Sequence, residues 1–313
     1  MRQNVTGKDE PPGTAGARPR YRGRFAPSPT GPLHFGSLIA AVGSFLQARA
    51  QQGDWLVRIE DIDPPREAPG AADDILRTLE RLGLHWDGAV LYQSARAEAY
   101  DSAIDKLQAL GALYPCSCSR QEIADSSVRG IDGLIYPGTC RGGAAPARRA
   151  SALRVRTDAT PVRFEDRWQG TVECNLARDM GDFVVRRADG YFAYQLAVVV
   201  DDAAQQVTEV VRGADLLLST PRQIHLARLL GLPIPRHAHL PVAVNAGGEK
   251  LSKQTGARAI ADAPALPLLR AALRFLGQEI PADDGADDIG EFWRVAVAHW
   301  RPERVPGVRT LPV

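Results

Sequence analysis

A proline- and glycine-rich loop held between a short strand and a helix, with a second strand close behind, limits what this chain can fold into more than any other feature. Residues 22–26 read as a strand, and residues 37–50 as a helix with Leu38, Val42, Phe45 and Leu46 at apolar positions. Residues 55–59 read as a second strand after the Gly53-Asp54 turn. Strand, helix and strand in so short a stretch make a right-handed βαβ unit with parallel strands. Such sheets take their ligands outside the carboxyl ends of the strands. Here those ends are the loop 27–36 and the segment Glu60-Asp61-Ile62-Asp63, so both face one crevice.

At 313 residues the chain is longer than one compact core usually covers, which predicts two folded units or one domain with a large insertion. Helical periodicity continues through 72–82 and 97–110; at Tyr114 the composition turns rich in Cys, Gly and Ser as far as residue 149, as an inserted module would. Strand-like runs follow at 153–156, 182–187, 196–200 and 207–212. Ser219-Thr220-Pro221 starts a helix ending near residue 230, with a hydroxyl cap ahead of a proline in the first turn. Two more helices are expected, at 266–276 and 289–300. No apolar run approaches the roughly 20 residues of a membrane span, so a soluble protein is expected. Residues 1–20, rich in Gly, Pro, Arg and Thr, read as a disordered extension and not as a secretory signal. A net charge of +1 confines any RNA contact to a local surface.

His34 and Gly36 stand where the first strand passes into the helix N-terminus. Unpaired amides and the positive dipole end suit a phosphate there, the glycine permits close approach of a base or ribose, and the histidine can hydrogen-bond a phosphate oxygen. Alone, His-x-Gly is equally a histidine satisfied in a turn. Far downstream, Lys250-Leu251-Ser252-Lys253-Gln254 follows a glycine-rich turn at 245–249. Two lysines three apart on a mobile loop can close over a triphosphate, or form a solvated basic turn. Cys116, Cys118 and Cys140 offer three thiolates to a tetrahedral structural Zn²⁺, with one position to fill and Cys174 the candidate from the residues alone. Four cysteines in a chain this long fit a reducing cytoplasm better than a disulfide framework. Arg129, Arg141, Arg148 and Arg149 in the same module suit either phosphate contacts or a solvated loop.

Together, Arg24-Phe25-Ala26-Pro27-Ser28-Pro29-Thr30-Gly31 ahead of His34-Phe35-Gly36-Ser37, and the distant lysine motif, resemble the two nucleotide signatures of class I aminoacyl-tRNA synthetases. The first run is similar to that of the glutamyl and glutaminyl enzymes. Ser37 stands where the class pattern has a second histidine and Gln254 where it has a final serine, while both lysines are kept. The resemblance implies an α/β fold: a Rossmann-like catalytic domain in two halves (21–110 and 191–258), an inserted acceptor-binding-type subdomain with a zinc site (111–190), and a short helical stem-contact-like tail (259–313). It implies ATP as substrate, with Mg²⁺, and His34, Gly36, Ser37, Lys250 and Lys253 around the nucleotide. His34, Gly36, Lys250 and Lys253 would serve catalysis, in-line attack of the glutamate α-carboxylate on the α-phosphate. Arg24, Phe25, Ala26, Pro27, Ser28, Glu60, Tyr194 and Arg212 would line the glutamate pocket. Arg24 can pair bidentately with a carboxylate, which a neutral glutamine cannot reproduce, and Glu60 places a negative charge nearby. For the metal, the resemblance supplies Tyr136, giving the ligand set Cys116, Cys118, Tyr136 and Cys140, and leaves Cys174 as a packed side chain.

After Gln254 come 313 − 254 = 59 residues, too few for the stem-contact region and helical anticodon-binding domain of a full glutamyl enzyme. The resemblance is therefore to the shorter branch of the family, which activates L-glutamate without tRNA and attaches it to queuosine in the anticodon of tRNA-Asp. A cytoplasmic monomer is expected. A truncated enzyme charging the acceptor end of tRNA-Glu, and a non-catalytic zinc-stabilised RNA-binding scaffold, remain open beside it.

Overall fold

The computed structural model describes residues 20–143, 151–251, 259–261, 263–279 and 288–313. The expected βαβ unit is present: β1 (Arg22–Phe25), α1 (Phe35–Ala50) and β2 (Asp54–Ile59), with Arg22 beside Asp54 and Phe25 beside Val57 in parallel register. After α2 (Ala71–Arg81), β3 (Leu91–Tyr92) extends the sheet in parallel on β2, and α3 (Ala97–Ala109) follows.

The chain then builds β4 (Leu113–Cys116), α4 (Arg120–Ser126) and a small hairpin of β5 (Arg129–Gly130) and β6 (Gly133–Leu134). Next come β7 (Ala152–Val155), the hairpin β8 (Pro161–Asp166) and β9 (Gly170–Asn175), α5 (Leu176–Asp179) and β10 (Phe183–Arg186). Strands β10, β7 and β4 form one antiparallel sheet. The β8–β9 hairpin instead joins the other half, where α6 (Tyr194–Ala204), β11 (Glu209–Gly213), α7 (Thr220–Leu230) and β12 (Arg236–Leu240) complete a second segment in the order β11, β12, β8, β9, parallel except for the antiparallel pair β8–β9.

These two segments meet edge to edge. The Thr208 amide donates to the Arg22 carbonyl (2.9 Å), and the Arg22 amide to the Thr208 hydroxyl (2.9 Å), so β1 and β11 are neighbours. From β1 the chain crosses through α1 to β2 on one side; from β11 it crosses through α7 to β12 on the other. Strand order thus reverses between β1 and β11, and a crevice opens at their carboxyl ends.

Helix α1 lies on this sheet because one whole side of it is apolar: Leu38, Ile39, Val42, Phe45 and Leu46 are buried. Gly43 lets it come close, since a Cβ there would stand 2.6 Å from the Leu240 side chain. Trp55 is fully buried, edge-on to Phe45 with centroids 5.2 Å apart, and its indole donates to the Ser44 hydroxyl (2.9 Å). Beyond β13 (Val242–Val244), α8 (Ala265–Phe275) and α9 (Ile289–Ala298) cover the outer face of α1. Finally β14 (Thr310–Pro312) pairs in parallel with β13.

Two expectations are overturned. Residues 196–200 are helical, within α6, and not a strand. A short apolar run cannot be assigned by periodicity alone, and this one is apolar all round because Leu196, Ala197, Val198 and Val199 are all buried, against α3 and α7 among others. The helix at Thr220 begins as expected, but Ser219 makes no capping bond; it ends a preceding 3₁₀ segment (Ala214–Ser219) in helical geometry. The expectation for residues 1–20 lies outside the described residues except at Arg20. Replacing Trp55 by Ala should cost about 3–5 kcal/mol, read as a lowered midpoint in urea unfolding.

Candidate active site

The crevice is a cavity of about 520 Å³. Strand β1 and the loop after it contribute Arg24, Phe25, Ala26, Pro27 and Ser28; the start of α1 contributes His34, Gly36 and Ser37. Glu60 enters after β2, Tyr194 from the first turn of α6, Arg212 from β11, and Lys250 stands at the mouth. Of the nucleotide- and amino-acid-site residues expected from sequence, only Lys253 is missing from this gathering, and it lies outside the described residues.

His34 caps α1. Its Nδ1 accepts the Ser37 amide (3.4 Å) while the Ser37 hydroxyl accepts the His34 amide (3.1 Å). With Nδ1 an acceptor, the proton of the neutral ring sits on Nε2, where it can be donated. A Cβ on Gly36 would stand 3.1 Å from the His34 ring and 3.2 Å from the Leu251 carbonyl oxygen, so the glycine lets the lysine segment approach the helix start. The far side of that segment returns too: the Ile260 amide donates to the Leu33 carbonyl (3.1 Å). Lys250 Nζ lies 2.5 Å from Asp215 Oδ2, just after β11.

The amino-acid end is built of buried charge. Arg24 donates from Nε to Asp202 Oδ1 (3.1 Å) and from Nη2 to Oδ2 (3.4 Å). Arg58, fully buried, donates to the same Asp202 Oδ1 (2.7 Å) and to Glu60 Oε1 (3.3 Å). Burial alone would push the Asp202 carboxyl up, but Arg24 and Arg58 outweigh it and hold it at about 2. Burial raises Glu60, against the pull of Arg58 and Arg24. Asp202 thus takes the Nε and Nη2 edge of Arg24, which also lines the cavity. Arg212 differs. The residue is 5% exposed, and its partners among the described residues are all neutral: His239 Nε2 (3.0 Å), the Tyr194 hydroxyl (3.2 Å), the Leu216 carbonyl (3.2 Å), the Thr220 hydroxyl (2.8 Å) and the Gln223 side-chain oxygen (2.9 Å).

Sequence reasoning missed Asp202, Asp215 and His239. The first had a signal: Asp201-Asp202 closes an uninterrupted apolar run, and a carboxylate buried there needs a cation.

In the inserted segment, the Sγ atoms of Cys116, Cys118 and Cys140 lie within 4.8 Å of one another, with Cys118 and Cys140 3.5 Å apart. The Tyr136 hydroxyl sits among them, 3.3 Å from Cys116 Sγ and 3.7 Å from Cys118 Sγ. Zn–S bonds of about 2.3 Å in a tetrahedron require sulfurs about 3.8 Å apart, so the donor set fits Zn²⁺. Burial would raise the Cys140 thiol, but hydrogen bonds from Tyr136 and the Ser117 amide bring it to about 7, whereas burial lifts Cys118 to about 11. Cys174 is not in this group; it packs with Val162, Leu176, Met180 and Ile224.

Residues 20–274 match the family described as tRNA synthetases class I (E and Q), catalytic domain, and the chain belongs to that family of ligases. More narrowly, it is 62% identical over 289 residues to the Glutamyl-Q tRNA(Asp) synthetase of Dechloromonas aromatica, covering 91% of this chain and 96% of that protein. It is 58% identical over 290 residues to the protein of the same name from Aromatoleum aromaticum, covering 93% and 92%. The fold is similar to the crystal structure of glutamate-tRNA synthetase from Elizabethkingia anophelis, with a TM-score of 0.79 at 22% identity over 94% of this chain and 68% of that one. Among the described residues no helix is long and apolar enough to cross a membrane.

Replacing Asp202 by Ala should destabilise the protein by about 3–5 kcal/mol, because two buried guanidinium groups lose their partner. The native carboxyl titrates near 2, below the roughly 3.9 of an unfolded aspartate. Its contribution is therefore present above about pH 4 and is lost as the pH falls through about 2, which acid unfolding of the wild type and of Asp202→Ala will show.

Proposed function

We propose that the chain activates L-glutamate with ATP, without RNA, and transfers it to queuosine in the anticodon of tRNA-Asp. The observation that carries the first half is Arg212, a buried cation whose partners among the described residues are all neutral, in one cavity with Glu60 and a helix N-terminus. Such a cation lacks a carboxylate, and the substrate side chain supplies one, aided by the Tyr194 hydroxyl. Glu60 receives the α-ammonium group. The α-carboxylate oxygen then attacks the α-phosphorus of ATP in line, the bond to the bridging oxygen breaks, and pyrophosphate leaves.

His34 Nε2–H and the first amides of α1, at Phe35 and Gly36, take phosphate oxygens, and Ser37 holds the histidine in that tautomer. Lys250 exchanges Asp215 for the departing phosphates, and Lys253 is assigned the same task. Class I synthetases use ATP with Mg²⁺, which adds neutralising charge at the phosphates. The acceptor half of the reading rests on the relatives, which share the name Glutamyl-Q tRNA(Asp) synthetase over most of their length. Cys116, Cys118, Cys140 and Tyr136 are assigned to one structural Zn²⁺, in a cytoplasmic, monomeric protein whose reducing surroundings keep the thiols available.

Purified protein should exchange pyrophosphate into ATP when given glutamate and no RNA. Glutamine should be weaker by about 100-fold or more, since it leaves Arg212 without an anion. Exchange that appears only with tRNA would favour the acceptor end of tRNA-Glu; no exchange at all would favour the RNA-binding scaffold. Labelled glutamate should pass to tRNA-Asp carrying queuosine and not to the same tRNA carrying guanosine.

Metal analysis should find one Zn²⁺ per chain, lost in Cys140→Ser. Because protons compete for the thiolates, affinity should fall as the pH drops from the alkaline side, where Cys118 already holds its proton, and fall more steeply below about 7, where Cys140 is protonated too.

A further inference from the structure

We propose that His239 and Asp166 are positioning residues: they hold the Arg212 guanidinium in the orientation that receives the substrate side chain, and so set the affinity for glutamate. The inference rests on the reading that Arg212 binds that side chain.

The sheet lines up the three residues. Arg212 on β11 stands directly beside His239 on β12 in the parallel register, and Asp166 closes β8, the next strand, where it pairs with β12. Asp166 Oδ1 accepts three backbone amides, from His239 (3.0 Å), Trp168 (3.1 Å) and Gln169 (3.0 Å), which fixes the carboxylate. Its Oδ2 lies 2.5 Å from His239 Nδ1, and both side chains are wholly buried. An ionised aspartate can only accept, so Nδ1 carries the proton and Nε2 is the acceptor. Nε2 takes the Nε–H of Arg212 at 3.0 Å. Burial and the facing Arg212 bring His239 down to about 4 in spite of Asp166, which keeps the ring neutral and able to accept near pH 7.

The tautomer matters because Arg212 is a donor on every edge. A ring protonated on Nε2 would set donor against donor inside the sheet and turn the guanidinium away from the Nη1 edge that meets Tyr194. With the tautomer held by Asp166, Nε is fixed by His239, Nη2 by Thr220, Gln223 and the Leu216 carbonyl, and Nη1 is left toward the cavity beside the tyrosine. The orientation is thus decided before substrate arrives, as preorganised binding requires.

Glutamate-dependent pyrophosphate exchange tests this in the full chain without RNA. Asp166→Asn keeps an oxygen for the three amides but turns a donor toward Nδ1, which forces the proton onto Nε2. It should raise KM for glutamate about tenfold, with KM for ATP and kcat within about threefold of wild type. His239→Leu should raise KM for glutamate likewise. His239→Gln, whose amide can donate to Asp166 and accept from Arg212, should recover most of the loss. If Asp166→Asn fails to fold, the His239→Leu and His239→Gln pair decides. The proposal is overturned if every folded variant keeps KM for glutamate within about twofold of wild type, or if KM for ATP rises in step with it. Arg212→Lys separates this from the reading beneath it. If KM for glutamate is unmoved in Arg212→Lys, the pocket assignment itself fails; if it rises there and not in Asp166→Asn or His239→Leu, only the positioning role fails.

Discussion

The Asp202 carboxylate is the interaction on which the rest of the site depends. One aspartate on α6 receives Arg24 from β1 and Arg58 from β2, and Arg58 in turn holds Glu60. Two cations and two anions of this group lie almost wholly out of water, a state reached only when every charge has a close partner. Because Asp202 comes from beyond the inserted segment, the pair also joins the two halves of the catalytic sheet at the point where their edges meet.

That group explains a division of labour between the arginines that look equivalent as residues. Arg24 and Arg58 both pair with Asp202 inside the protein, Arg24 at the cavity wall. Among the described residues Arg212 has no such anion and is surrounded by hydroxyl, amide, carbonyl and imidazole acceptors. Among the described residues the cavity therefore keeps an unmatched positive group at one place and Glu60 at another, an arrangement that suits a zwitterion with a second carboxylate.

Much of this was legible in the chain. The βαβ unit, the loop that ends in His34 and Gly36, and their meeting with Glu60, Tyr194, Arg212 and Lys250 followed from apolar spacing, turn residues and motif likeness. The three-cysteine group was legible from its short spacing, whereas Tyr136 entered through resemblance. What escaped were contacts between distant segments. Nothing local marks Arg24 as bound to Asp202, 178 positions away, or His239 as the acceptor for Arg212. The run 196–200 misled for a related reason: its apolar residues are buried on every side, so no period distinguishes helix from strand.

The lysine loop has a support not apparent from its glycines. Leu251 donates its amide to the Ala243 carbonyl on β13, and the other edge of that strand is paired with β14 near the carboxyl end of the chain. The last strand thus acts as a splint for the segment that carries Lys250. Whatever is joined after Val313 is therefore tethered close to Lys250 and the mouth of the cavity, and a tag or fluorescent reporter placed there is a choice about that opening as well.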